Sequence, residues 1–156
     1  EGGERGERRI GSGTRSGQEA GRRVGIGKDM NRQFRFLGVG LGHQILAAAW
    51  DAPIVRAQEP VHGRVSQIYH TGRGIFAGLE NPFNACRYHS LVIDENGLDS
   101  CFQVTARTQD GVNMANQHPR YPLARVQFHP DSILTECGFS ILANFLRLIG
   151  LALPDR

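Results

Sequence analysis

The chain has 156 residues, a net charge of +3 and 40% hydrophobic residues. That length fits one domain able to bury a core, and no apolar run approaches the ~20 residues of a membrane span. Arginines interleaved with glutamates do not form the basic stripe of a nucleic-acid surface. The three widely spaced cysteines, Cys86, Cys101 and Cys137, argue against a disulfide framework or zinc site and fit a reducing cytoplasm.

Residues 1–30 are rich in Gly, Arg and Glu and hold few apolar positions (Ile10, Ala20, Val24, Ile26, Met30) without a period. Such a segment buries too little surface to offset its ordering entropy, so it is expected to be poorly ordered. It carries charges but no apolar run of the kind a secretory leader needs. Residues 31–150 have the pattern of a packed α/β domain, and 151–156 read as a tail.

Along that domain, "FRFLGV" reads as a buried strand that stops at glycines and turns directly into a helix, "HQILAAAW". "APIVRA" and "GRVSQIYH" read as two strands, and "NACRYHSLVID" as another, with a break near His89. "CFQVTART" follows as a strand, "QDGVN" as a turn and "LARVQFH" as a further strand. "SILTECGFSILANFLRLIG" predicts one long helix with Leu134, Cys137, Ile141, Phe145 and Leu148 on its buried face.

Three short blocks carry chemistry. In "GVGLGHQ" a strand-to-helix elbow places Gly40 at the tip, where such turns present a catalytic side chain. "RYHSL", Arg87–Leu91, sets a Tyr, a His and a Ser within a strand. "VQFHPDSILTECG" puts His129 at a strand end, two residues before Asp131. Elbow, imidazole and carboxylate make a nucleophile–base–orienter arrangement that lacks only the nucleophile. Plainer readings stand beside this one. Taken alone, Gly40 reads as a tight-turn glycine, a reading that "LGHQ" beside it and "FHPDS" downstream weaken; His129 reads as a core histidine, Asp131 or Ser132 as the N-cap of the last helix, and Tyr88–Ser90 as strand packing.

Together these blocks resemble the class I glutamine amidotransferases, above all component II, the glutaminase component, of aminodeoxychorismate synthase and anthranilate synthase. That family carries G-[VI]-C-L-G-H-Q, H-G-K, R-Y-H-S-L and Q-F-H-P-E-S-I-L-T. This chain has "GVGLGHQ", "HGR" (His62–Arg64), "RYHSL" and "QFHPDSILTECG" in the same order. The resemblance runs from about Phe36 to Leu146. It implies an open, mostly parallel sheet with flanking helices, without the strand and helix with which the family begins.

The resemblance also implies roles. Family members hydrolyse L-glutamine and pass ammonia to a chorismate-using synthase subunit, with neither metal nor cofactor. His129 would be the general base and then acid, and Asp131 would orient it. The N–H of Leu41, with one from Gly11, Ser12 and Gly13, would bind the oxyanion. Gln44 would hold the substrate amide, and Ser90 and Leu91 its amino-acid end. The departures are as specific: Gly40 stands for the family's Cys, Asp131 for its Glu, Arg64 for its Lys, and Gly11–Gly13 for its G-P-G. Glycine takes an elbow conformation without the steric cost of a Cβ, so loss of the thiol spares the turn and deletes the chemistry.

The functions open at this stage are therefore a poorly active or inactive amidotransferase, or a non-catalytic protein that keeps the glutamine pocket or the synthase-docking face. A third is dinucleotide binding through Gly38, Gly40 and Gly42 with Glu59 downstream. That reading lacks the third glycine, whose place His43 holds, and leaves "RYHSL" and "QFHPDS" unused.

Overall fold

The computed structural model describes residues 34–151 and 153. The expectation for residues 1–30, and the oxyanion-loop candidates Gly11, Ser12 and Gly13, lie outside the described residues.

Among the described residues six strands form a single sheet: β1 (Phe36–Val39), β2 (Ile54–His70), β3 (Phe83–Ile93), β4 (Gln103–Thr108), β5 (Asn113–Gln117) and β6 (Leu123–Val126). Two helices flank it, α1 (Leu41–Ala49) and α2 (Gly138–Leu148). The sheet order is β1-β6-β5-β4-β2-β3. The α/β class stands, but the sheet is mixed rather than mostly parallel. Only β1 and β6 run parallel; the other pairs are antiparallel. The reason is local: between β2 and β6 no connection carries an α-helix of the kind that parallel crossovers use.

The main core joins the sheet to helix α2. Ile68, Ala85, Ala106, Met114, Ala115, Ala124 and Val126 meet Ile141 and Phe145 of α2, with Phe76, Phe83 and Phe128 closing the end. Helix α1 packs against β1, β6, β2 and β3 and buries His43, Gln44 and Ala47.

Three further expectations are corrected. "APIVRA" and "GRVSQIYH" are one strand, β2, whose ladder with β3 slips between Arg56 and Val61 and again between His62 and Arg64. Gly63, at φ +68°, sits at the second slip, and Pro60, which has no N–H to donate, sits in the first. The irregularity foreseen at His89 thus belongs to the opposite strand, and β3 itself is continuous. Strand β5 follows the "QDGVN" turn and has no strand signature in the sequence, because its buried positions include Asn113 and Asn116.

The last helix starts at Gly138, six residues later than its pattern suggests. The preceding loop is held by β3 instead. Thr135 Oγ1 accepts from Cys86 N at 3.1 Å and donates to His129 O at 2.6 Å, while the Glu136 carboxylate accepts from Asn84 N and Nδ2 at 2.9 and 2.8 Å. These bonds satisfy β3 as a neighbouring strand would, so the segment cannot also wind into helix. Leu134 and Leu148 are consequently half exposed. Cys137, not Asp131 or Ser132, is the N-cap, with no side-chain capping bond.

Candidate active site

Parallel pairing of β1 and β6 brings two distant stretches together. Gly40 ends β1 and donates its N–H to Val126 O at 2.9 Å; His129 follows β6 by three residues. The carboxyl ends of adjacent parallel strands are where open α/β sheets place their ligand sites.

Gly40 has φ +55° and ψ −108°. This is left-handed backbone, costly for a residue with a Cβ. The chain then enters α1, whose first N–H groups receive no capping side chain. Gly38 has a different task. A Cβ there would lie 2.6 Å from Leu46 Cδ1 and 2.7 Å from Gly42 O. It is small because strand and helix touch, which accounts for the first glycine of the elbow without a dinucleotide.

The His129 imidazole faces the elbow tip, with Nε2 2.9 Å from the point where a Cβ on Gly40 would stand. Its Nδ1 lies 3.4 Å from Asp131 Oδ1, longer than a good hydrogen bond. Asp131 is three-quarters exposed, so water competes for the carboxylate. The backbone beneath is firm: His129 N donates to Cys86 O at 3.0 Å and Ser132 N donates to His129 O at 3.2 Å. Tyr88 meets the imidazole edge-on, ring centroids 5.6 Å apart. Gly63 of "HGR" backs the same phenol, since a Cβ there would come within 3.1 Å of Tyr88 Oη. Tyr88, for which the sequence also allowed plain strand packing, is thus a wall of the site, and Thr135 is its tether. Neither could be found from spacing, because each acts through a pairing between distant segments.

The other candidates gather more loosely. Leu41 is the first residue of α1 and is exposed. Gln44 points inward, its Nε2 donating to Leu91 O at 3.1 Å and to Gln127 Oε1 at 3.0 Å. Leu91 O also takes a bond from His89 Nδ1 at 3.1 Å. This holds the end of β3 against α1, while Ser90 and Leu91 are exposed.

His89 is buried and neutral. Arg87 Nε donates to its Nε2 at 3.0 Å, which leaves Nδ1 to carry the proton toward Leu91 O. Burial first, and the Arg87 charge second, pull it down to about 4. His43, the histidine of the elbow itself, is fully buried with both ring nitrogens unpartnered. Burial and then the Arg125 charge pull it to about 3. It is a packed residue beside the site rather than a base in it. Among the described residues no cluster could hold a metal ion, and no helix is long and apolar enough to cross a membrane.

The fold that brings Gly40 and His129 together is that of the class I glutamine amidotransferases, and the chain belongs to that family: the family model, glutamine amidotransferase class-I, matches residues 10–149. Among its relatives, aminodeoxychorismate synthase component 2 of Klebsiella aerogenes is 46% identical over 137 residues, 88% of this chain and 73% of that protein. Anthranilate synthase component 2 of Mycobacterium tuberculosis is 50% identical over 119 residues, 76% of this chain and 51% of its own length. Among solved structures, a candidate GMP synthase protein from Thermoplasma acidophilum superposes with a TM-score of 0.70 at 25% identity, covering 75% of this chain and 58% of that one.

Proposed function

We propose that this chain is a component II–type partner of an aminodeoxychorismate or anthranilate synthase in which the glutamine-hydrolysing step has been lost. The observation that carries this reading is Gly40. It holds the elbow conformation, faces His129, and has no atom with which to attack.

In a family member with cysteine at this point, the thiolate would add to the side-chain amide carbon of L-glutamine. The oxyanion would rest on the Leu41 N–H, and ammonia would leave with a proton from His129. Water, deprotonated by the same imidazole, would then split the thioester. Gly40 removes the first bond of that sequence, and Cys86, buried in β3, is no substitute. What the chain retains is the helix N-terminus, His129 and the end of β3 at Ser90 and Leu91. These suit glutamine binding or docking to a chorismate-using synthase subunit without turnover, a reading the long His129–Asp131 separation also favours. Free thiols at Cys86, Cys101 and Cys137 accord with a cytoplasmic setting.

The test is ammonia release from L-glutamine by the unmodified chain and by Gly40→Cys, each with a chorismate-using synthase subunit. The expected result is no release above background from the unmodified chain. Release at ordinary enzymatic rates, abolished by His129→Ala, would overturn the reading.

A further inference from the structure

On β3, Arg87 and His89 alternate with Tyr88 and Ser90, so they face away from the elbow. On that side lies a cleft of about 560 Å³. It exists because β2 leaves its ladder: Arg56 pairs with Leu91 and Val61 with His89, so Ala57–Pro60 swing out opposite the single residue Ser90. The turn Asp110–Asn113 forms the facing wall.

Three polar groups in this cleft are left over. Arg87 is only 6% exposed. Its Nε is used by His89 and its Nη1 by Ser66 Oγ at 3.0 Å, while Nη2 has no bond and no carboxylate lies within ion-pair distance among the described residues. Asn113 is 3% exposed, and both atoms of its amide are unpartnered. Asp110 lines the cleft with Arg87 and is the strongest negative charge acting on it. The other acidic groups of the lining are engaged: Glu95 with Arg107, Glu59 with Arg64, Asp94 with Asn96 N. Arg56 adds a second cation at the lip. Between these groups run Val61, Val92, Ile93 and Val112. Arg87 thus keeps one N–H group, on Nη2, open toward the cleft, and Asp110 keeps an unpaired carboxylate beside it, so the cleft presents one charge of each sign to a ligand.

We propose that this cleft binds an α-amino acid with an apolar side chain, its carboxylate on Arg87 Nη2, its ammonium on Asp110 and its side chain against Val61, Ile93 and Val112. Arg87 and Asp110 make no direct ion pair, which leaves both charges to a zwitterion. The site is separate from the elbow and does not depend on the function proposed there.

The test is titration of the full chain with L-leucine, L-leucinamide, N-acetyl-L-leucine and isovalerate, followed by ligand-observed NMR. L-leucine should bind at least tenfold more tightly than each analogue lacking one charge. Asp110→Asn, an exposed change that leaves thermal stability as it was, should bring L-leucine down to the level of isovalerate. Arg87→Lys should weaken L-leucine tenfold or more, and His129→Ala should leave it unchanged. No binding of L-leucine would overturn the proposal. So would equal binding of L-leucine and isovalerate, which marks a simple anion site, or loss of binding in His129→Ala, which places the ligand at the elbow.

Discussion

His129 Nε2 stands 2.9 Å from the position a Cβ on Gly40 would take, closer than side-chain contacts allow. The imidazole has settled into space that a residue with a side chain would claim. Gly40→Cys must therefore push the ring back by a few tenths of an ångström, in addition to accepting φ +55°. We expect this variant to fold with a loss of ~1–3 kcal/mol. Its new thiol, at the N-terminus of α1 and beside an imidazole, should be alkylated first. Cys86 is buried, and burial raises Cys101 and Cys137 to about 11. Brief iodoacetamide treatment at pH 7 with peptide mapping checks the order; a thiol at position 40 no faster than the native three would refute the elbow assignment.

The 3.4 Å separation of His129 Nδ1 and Asp131 Oδ1 is longer than a good hydrogen bond, and a glutamate has the longer reach. Asp131→Glu should shorten this contact and raise glutamine hydrolysis, but only with Gly40→Cys present, because an oriented base has nothing to activate without a nucleophile. Steady-state ammonia release from both single variants and the double variant decides it. A gain from Asp131→Glu alone would remove Asp131 and His129 from these roles.

Thr135 serves two backbones at once, accepting from Cys86 N and donating to His129 O. Thr135→Val keeps the shape and leaves Cys86 N without its partner in a buried place, while His129 O retains only its bond from Ser132 N. It should cost ~1–3 kcal/mol and loosen the loop that carries His129. Urea denaturation measures the first effect. Faster amide exchange at His129 and Ser132 measures the second, and unchanged exchange there would mean that Thr135 does not tether the site.

His43 and His89 are both held neutral, at about 3 and about 4, against ~6.5 in an unfolded chain. Between pH ~6.5 and these values the unfolded chain binds up to two more protons than the folded one, so stability rises with pH through the window and falls with acid. The slope should approach ~1.4 kcal/mol per pH unit for each histidine. Denaturation midpoints across the range from neutral to mildly acidic pH test this. His43→Gln should flatten the slope even as it lowers the overall stability, and a slope that persists in full would assign the effect elsewhere.

Much of the site was legible in the sequence because its chemistry is carried by short, ordered blocks. "GVGLGHQ" specified a strand, a sharp turn and a helix, and local sterics suffice for that: only glycine enters φ > 0 freely. The alternation in "RVSQIYH" and "NACRYHSL" marked strands for the same local reason. The lack of a thiol at Gly40 and the pairing of His129 with Asp131, two residues apart, needed no tertiary information either.

What the tertiary structure alone decided are the relationships that cross the chain. β1 and β6 lie parallel and adjacent, which carries Gly40 to His129 across 89 positions of sequence. The segment before α2 has a helical apolar pattern, yet β3 offers its N–H and C=O groups to Thr135 and Glu136, and sheet-like bonding outweighs helix propensity there. Strand β5, which follows the "QDGVN" turn, carried no strand pattern because buried amides read as polar surface until neighbours are known. Local patterns specify which dihedrals a segment prefers; which buried groups it must satisfy depends on what the fold places beside it.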